Sequence, residues 1–431
     1  MALFWFVEMK YISFLIFLFS SLSSIANQFQ QLVDAPILEV NVVNLNQLKS
    51  NQLAIAMPFA KEIILNPEQR KHFEEQVVIK IELVYTKYRT SPTFDQKKLN
   101  FNRLTELNKL LPDLFKNPFW DFELISQTNG NSREECNPMF HGFIFTFRPN
   151  SSPTTLAAES SYLQQVVDNL IKQSNNENPK DKLSYDLKTR WDDKIGYVHD
   201  TICKVNEVKQ IPPPDFFYDH SLYKDSTVLN VFDRNQSWQN FSVVTDVTGS
   251  MSPYIAQVFV WLKQQAEKNN AKYFVFFNDG DNKESRKKKP LETGGVYGTK
   301  NKGLETVMQT AANCMSNGSG GGERQENDIE AILLAQQEYE AAEEIILVAD
   351  NFESMRDYKH MDGIKKRVRI IVCGAKNRVN IEYLDLARTT KGSIHTKTSD
   401  VYDLDKIKQG QQITIDGERY IFDKGRFHFL Y

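Results

Sequence analysis

The sequence lacks the residue patterns that mark the best-known catalytic and metal sites. Its four cysteines, Cys136, Cys203, Cys314 and Cys373, contain no CxxC pair, which disfavours a zinc knuckle. The seven histidines are scattered and form no HExxH motif, so a histidine-based zinc site is also disfavoured. No Gly-Lys-Ser/Thr follows the glycine-rich run 318–322, and no Gly-x-Ser-x-Gly elbow occurs. A P-loop and an α/β-hydrolase nucleophile are therefore excluded.

The chain also has little net charge. Its formal charge is −3 over 431 residues, which argues against nucleic acid as a partner, because nucleic-acid-binding domains are normally basic. The only basic run, residues 286–289, precedes a proline and is expected to be a solvated loop. With 41% apolar and 25% charged residues, the composition is that of a globular protein able to build a sizeable core.

Long apolar runs are confined to the N-terminus. Lys10 precedes an apolar stretch at residues 11–19, and residues 24–26 fit the small-x-small cleavage rule, so residues 1–26 are predicted to be a signal peptide. The apolar stretch is shorter than the roughly 20 residues that span a bilayer. We therefore expect an exported protein, secreted or in the periplasm and cell envelope, with no stable membrane span after signal cleavage.

Export has a consequence for the cysteines, because oxidising compartments permit disulfides. Cys136 and Cys203 both lie in the N-terminal half and are one pair that could form such a bond. Cys373 ends an apolar run that is typical of a buried strand, so it is expected to be a small core residue.

A proline-rich segment divides the mature chain. Residues 211–224 begin Ile-Pro-Pro-Pro-Asp and are predicted to be a stiff linker that cannot be helical. Upstream, residues 27–210 mix strand and helix patterns without a catalytic constellation, which indicates a small α+β domain. Downstream, residues 225–400 form a second domain. Residues 401–431 are predicted to be a β-hairpin extension, because Asp-Gly separates two β-rich runs there.

The second domain alternates apolar runs with helical patterns. Because the runs are apolar throughout, the strands are expected to be mostly parallel and covered on both faces, in a Rossmann-like doubly wound α/β fold. Strands are predicted at 227–231, 241–245, 273–277, 345–349, 369–373 and 393–396. Helices are predicted from residue 253 onward and at 304–315, 328–340 and 381–388.

Oxygen-bearing side chains gather where these strands end. Asp246, Thr248 and Ser250 follow one predicted strand, and Asp350 follows another. Glu326 lies between the glycine-rich run and a predicted helix. In open α/β sheets, ligands bind beyond the carboxyl ends of the strands. Carboxylates and hydroxyls there are suited to a hard divalent cation.

This pattern resembles the metal-ion-dependent adhesion site of von Willebrand factor A (vWA) domains. The family motif Asp-x-Ser/Thr-x-Ser is matched by Asp246, Thr248 and Ser250, and the later aspartate of the family is matched by Asp350. Many members carry a further threonine ligand in the intervening loop, and this chain has no threonine there. Glu326, in a Gly-Gly-x-x-x-Glu pattern, is the candidate ligand in its place.

The resemblance covers about residues 225–400. It implies a Mg²⁺ or Mn²⁺ ion, with Ca²⁺ as a third candidate, in a non-catalytic, adhesion-type protein that captures a carboxylate of a protein partner. Two alternatives stay open. The cation could activate water in a metal-dependent hydrolase, with Glu323 or Glu326 as the base. Alternatively, the metal could only hold loops together in a structural envelope protein. Residues 279–281, Asp-Gly-Asp, are interpreted as a turn because the other ligands of a calcium loop are missing.

Overall fold

The computed structural model describes most of the chain beyond the predicted signal peptide. Residues 1–25 and most of the predicted linker lie outside the described residues. The description covers residue 26 and residues 28–430, except for 62, 90, 116–119, 149–152, 177–183, 193–195, 205–223, 250, 266–269, 282, 285–286, 319–324, 353 and 376–377. Within these ranges, no helix combines the length and the apolar character needed to cross a bilayer.

Helices and strands are numbered here in chain order. The strands are β1 Ile37–Val40, β2 Gln52–Ala56, β3 Val78–Thr86, β4 Asp121–Gln127, β5 Gly142–Phe147, β6 Ser184–Asp192, β7 Gly196–Lys204, β8 Phe241–Asp246, β9 Ala271–Phe277, β10 Val296–Lys300, β11 Gln325–Glu326, β12 Glu344–Asp350, β13 Ser354–Met355, β14 Arg367–Cys373, β15 Ser393–His395, β16 Asp400–Val401, β17 Gln412–Ile415, β18 Glu418–Asp423 and β19 Arg426–Phe429. The helices are α1 Pro67–Glu75, α2 Gln96–Leu110, α3 Arg133–Cys136, α4 Pro153–Asn176, α5 Thr227–Arg234, α6 Ser252–Gln264, α7 Leu304–Asn317, α8 Asp328–Glu338 and α9 Ile381–Thr389.

The upstream part is built on a five-stranded sheet in the order β1-β4-β3-β5-β2. The pairs β1–β4 and β4–β3 are parallel, whereas β5 and β2 run antiparallel to their neighbours. The larger core of this part joins Phe73 of α1 and Leu107 of α2 to Ile81 and Phe145 of the sheet. These apolar positions explain why the amphipathic helices lie on the sheet rather than in solvent. Helices and strands are thus mixed, as the sequence predicts for this region.

The downstream part is built on a seven-stranded sheet in the order β10-β9-β8-β12-β14-β15-β16. Neighbours from β9 to β15 pair in parallel, and the two edge strands are antiparallel. All six residues of β8 are buried, which explains the continuous apolar run seen in the sequence. Helices α5, α6 and α7 share a core with one face, and α8 and α9 share a core with the other. The molecule is therefore a mixed α/β protein with parallel strands.

Two segments outside residues 225–400 complete the cores of this sheet. Leu163 and Val167 of α4 pack with the helices on the first face. Tyr420 and Phe427 of the C-terminal strands pack on the second face. Both faces are therefore closed by residues distant in sequence.

The predicted C-terminal hairpin is present. Strands β17 and β18 pair antiparallel, with Ile415 opposite Glu418. Asp416 and Gly417 have φ angles of 49° and 89°, and two positive φ values are what a tight hairpin turn requires. β19 extends the hairpin to three strands.

The strand predicted at 227–231 is wrong, because this segment begins helix α5. Val228, Val231 and Phe232 are buried, with the three- and four-residue spacing of a helix face. Phe232 stacks on Trp261 of α6 with ring centroids 3.9 Å apart. A short apolar run fits a buried strand and a buried helix equally well, and here packing against α6 decides for the helix.

Asp225→Ala is expected to lower the free energy of unfolding by about 1–3 kcal/mol. The Asp225 carboxylate accepts hydrogen bonds from the Thr227 amide (3.0 Å) at the start of α5 and from the Tyr254 hydroxyl (2.9 Å). Its loss leaves the helix start uncapped and the hydroxyl without this acceptor. Urea denaturation measures the change. Asp233→Ala, exposed on the same helix, is the control and should change stability by no more than about 0.5 kcal/mol. Equal effects of the two substitutions would contradict the capping role.

The cysteines are thiols at the positions where the structure describes their side chains. Cys136, Cys314 and Cys373 are free and buried. The possible disulfide between Cys136 and Cys203 is therefore not formed at Cys136. Cys373 ends β14 inside the core, as expected for a small apolar residue.

Candidate metal centre

The candidate site lies at the carboxyl edge of the seven-stranded sheet. β8 and β12 are adjacent and parallel, so their last residues, Asp246 and Asp350, meet at the same edge. Both carboxylates are buried, with 1% and 3% of their residue surfaces exposed. Strand direction alone thus brings together two acidic residues that are far apart in the sequence.

Glu326 is brought to this edge by a separate pair of short strands. β11 pairs in parallel with β13, and the Arg356 amide donates to the Glu326 carbonyl at 2.7 Å. One carboxylate oxygen from each of Asp246, Glu326 and Asp350 can lie within 4.8 Å of the others. The structure therefore places the predicted third acidic ligand beside the first two.

The loop after β8 is shaped by the first aspartate. The Thr248 amide donates to Asp246 Oδ1 at 2.7 Å, and the Phe352 amide donates to Asp350 Oδ1 at 3.0 Å in the same way. Such Asx turns fix each carboxylate and point the loop beyond the strand end. Thr248 is buried beside the acids. Ser250, the last residue of the predicted motif, lies outside the described residues.

Sequence reasoning missed Arg148, which follows β5 of the upstream sheet and is 3% exposed. Its Nη2 lies 2.7 Å from Asp350 Oδ2 and donates to Thr248 Oγ1 at 2.9 Å. Nη2 and Nε donate to the Gly249 carbonyl at 2.6 and 3.1 Å. Nη1 lies 3.5 Å from Glu326 Oε1. The upstream sheet thus supplies a cation to the acidic edge.

Sequence reasoning also missed Asp279, because the Asp-Gly-Asp pattern at residues 279–281 fits a turn. The turn is present, with φ angles of 84° at Gly280 and 55° at Asp281. Asp279 is nevertheless buried and lies close enough to Glu326 for its charge to raise the pKa of the Glu326 carboxyl. It lies two residues after β9, the parallel neighbour of β8. The strand-end rule that identifies Asp246 and Asp350 would have identified it too.

The site is acidic, and its buried charges interact strongly. Burial alone would lower the pKa of Arg148, but the carboxylates, led by Asp350 and Glu326, outweigh burial and raise it. Burial and the nearby Asp350 carboxylate raise the pKa of Asp246 to about 7, although Arg148 opposes this shift. Burial and the acidic neighbours Asp279 and Asp246 raise the pKa of Glu326 well above its usual value. Arg148 therefore neutralises only part of the negative charge.

The donor set fits a hard divalent cation. Three carboxylates and the Thr248 hydroxyl supply oxygen ligands of the kind that Mg²⁺, Mn²⁺ and Ca²⁺ prefer. Asp246 Oδ2 is buried and accepts no hydrogen bond from any described residue, which is costly unless a cation or proton satisfies it. Two of the potential ligands, Thr248 and Asp350, are held by Arg148.

No protein-family model, curated protein or solved structure matches this chain. The assignment of a function therefore rests on the geometry and charge of the acidic edge.

Glu382 secures the strand pair that carries Glu326. It lies in α9 and accepts a hydrogen bond from the Met355 amide of β13 at 2.7 Å. Burial raises the pKa of Glu382 to about 7, and this hydrogen bond opposes the shift. The folded protein keeps this proton to higher pH than the unfolded chain does. Stability should therefore fall as pH rises from about 4.5 to about 7.

Glu382→Gln is expected to remove that part of the pH dependence, which amounts to as much as about 3 kcal/mol between pH 4.5 and 7. The glutamine oxygen can still accept from the Met355 amide, so the packing is kept. Urea denaturation across this pH range measures the slope. Glu343→Gln, at an exposed position, serves as the control. An unchanged slope in Glu382→Gln would show that Glu382 is not the titrating group.

Proposed function

We propose that this protein is an exported, non-catalytic binding protein whose downstream part is a vWA-like, doubly wound domain. Its acidic edge holds a divalent cation, Mg²⁺ or Mn²⁺ before Ca²⁺. Asp246, Thr248, Ser250 and Asp350 would hold the ion, with Glu326 as a further ligand, directly or through water. The ion supplies an open coordination position that a carboxylate of a protein partner completes.

One observation supports this proposal above all. Asp246, Glu326 and Asp350 come from three separate segments, and their carboxylates converge within 4.8 Å in a buried position. Like charges at such distances repel strongly in a buried environment. A divalent cation offsets this repulsion, and the edge of a parallel sheet is where ligands are expected.

The alternative of a metal-dependent hydrolase is less well supported. It requires a carboxylate that can take a proton from metal-bound water. Glu326 instead lies 3.5 Å from the Arg148 guanidinium, and burial and the Asp279 charge hold the pKa of its carboxyl well above the usual value. Glu323, the other candidate base, lies outside the described residues. A binding role needs only the cation and an open ligand position.

Calorimetric titration with MgCl₂ and MnCl₂ tests the metal site. The wild-type protein is expected to bind one ion per chain, and Asp246→Ala is expected to lose this binding. Asp362→Ala removes an exposed carboxylate away from the acidic edge and should leave it unchanged. If Asp246→Ala binds the metal as the wild-type protein does, the proposal is overturned.

Cross-linking and capture from the native extracellular fraction test the partner. Capture should require the divalent ion, stop in EDTA and be lost in Asp246→Ala. Capture should also fall when the carboxylates of that fraction are blocked by amidation beforehand. Turnover of ester or phosphoester substrates that disappears with EDTA and in Asp246→Ala would instead favour the hydrolase.

A further inference from the structure

Arg148 links the upstream sheet to the acidic edge. It directly follows β5, and its amide donates to the Val77 carbonyl at 2.7 Å, which fixes its backbone next to the upstream sheet. Its side chain crosses to the loop after β8, where three of its contacts are to Gly249 and Thr248. The backbone of Arg148 is thus fixed next to the upstream sheet, whereas its guanidinium bonds to a loop of the downstream sheet.

The guanidinium contacts the oxygens that a metal would need. Nη2 lies within 2.9 Å of both Asp350 Oδ2 and Thr248 Oγ1. A Mg²⁺ ion would bind these same oxygens at about 2.1 Å. Two cations on one pair of buried oxygens would repel each other strongly, and the oxygens cannot point their lone pairs at both. The guanidinium and the metal therefore cannot occupy these oxygens at the same time.

We infer that the acidic edge is a site for two alternative cations, the Arg148 guanidinium at rest and the divalent ion when loaded. The inference rests on the proposed function, since it describes how the same metal site is regulated. Metal binding then requires Arg148 to withdraw from Asp350 and Thr248. Arg148, which the upstream sheet supplies, thus competes with the metal for the same oxygens. While Arg148 remains in place, no metal is bound and the partner cannot be captured.

The charge balance explains why the two cations can exchange. Arg148 interacts electrostatically with four carboxylates at the acidic edge and with the buried Glu159 of α4. A single positive charge leaves this group under-neutralised, whereas a divalent ion compensates more of it. The bidentate-capable, planar guanidinium still satisfies several acceptors at once. The interaction of Arg148 with these acceptors is therefore strong enough to keep the guanidinium at the acidic edge and weak enough for a divalent ion to displace it.

The test compares Mg²⁺ and Mn²⁺ affinity in four proteins by calorimetry: wild type, Arg148→Ala, Arg148→Lys and the control Arg367→Ala. Removing the competitor should tighten metal binding by at least about tenfold, because a site that is open only part of the time loses affinity in proportion. Arg148→Lys keeps one positive charge without the planar fork and should fall between wild type and alanine. Arg367, exposed at the start of β14 and paired with Glu344, should leave the affinity unchanged.

Free guanidinium provides a second readout that a purely structural arginine would not give. At low, non-denaturing concentration, guanidinium chloride should weaken metal binding in Arg148→Ala by refilling the vacated position. Sodium chloride at equal ionic strength should not do so. If Arg148→Ala does not fold without metal, Arg148→Lys carries the affinity comparison.

The outcomes separate this inference from the proposed function. Tighter metal binding in both Arg148 variants, lost again when Asp246→Asn is added, supports both. Equal, Asp246-dependent affinity in wild type and both variants overturns the competition and leaves the metal site standing. No Asp246-dependent binding in any of the proteins overturns both.

Discussion

Arg148→Ala is expected to lower the free energy of unfolding in EDTA by about 3–5 kcal/mol, the range for breaking a buried ion pair by removing one partner. Arg148 is buried among Asp350, Glu326 and Asp246. Its removal leaves several buried carboxylates without their only described cationic contact. Saturating Mg²⁺ or Mn²⁺ should restore most of the loss, because the ion replaces the missing charge.

Urea denaturation with and without metal measures this effect. Arg367→Ala is the matched control, since its half-exposed guanidinium contacts Glu344 at 2.8 Å. Exposed pairs contribute little, so its loss should cost no more than about 1 kcal/mol. A loss in Arg148→Ala no larger than in this control would show that Arg148 does not neutralise the acidic edge.

Asp246→Asn is expected to have opposite effects on stability and on metal binding. Burial and the Asp350 carboxylate raise the pKa of Asp246 to about 7, so its negative charge is unfavourable in the metal-free protein. Removing that charge should raise the free energy of unfolding in EDTA by about 1–2 kcal/mol at pH 8. Metal affinity should fall by roughly 100-fold or more, because affinity depends on the number of charged ligands. Such a trade-off between stability and activity is typical of functional sites.

The two effects are measured on the same protein, by urea denaturation in EDTA and by calorimetry with Mg²⁺. The side-chain oxygen of the introduced asparagine can still accept from the Thr248 amide, as Asp246 Oδ1 does at 2.7 Å, so the turn is retained. Asp362→Asn, at an exposed position, should change neither quantity. If Asp246→Asn lowers the free energy of unfolding in EDTA, the Asp246 carboxylate stabilises the metal-free fold, and the predicted trade-off is contradicted.

Much of the acidic edge follows from the sequence because it obeys a local rule. A carboxylate directly after an apolar strand lies at the sheet edge, and parallel strands bring such residues together. The rule identifies Asp246 and Asp350, and the structure places them on adjacent strands. Asp279, two residues after β9, reaches the same edge, but the sequence leaves it ambiguous because Asp-Gly-Asp also fits a turn.

Arg148 could not be predicted in this way. Its contact with Thr248 joins residues 100 positions apart, across two different sheets. No periodicity or motif marks it, since an arginine after a strand is common and its partner depends on how the two parts pack. The segment 227–231 shows the same limit on a smaller scale, because packing on Trp261 selects a helix where the apolar run also fits a strand.

Anomalous diffraction from crystals soaked in Mn²⁺ tests the central claim most directly, because it locates the ion and Arg148 together. The account predicts one strong peak at coordination distance from oxygens of Asp246, Thr248 and Asp350, with the Arg148 guanidinium moved away from Asp350 Oδ2. No peak at this edge in saturating Mn²⁺ would contradict the metal site. A peak there with Arg148 still 2.7 Å from Asp350 Oδ2 would contradict the exchange of cations.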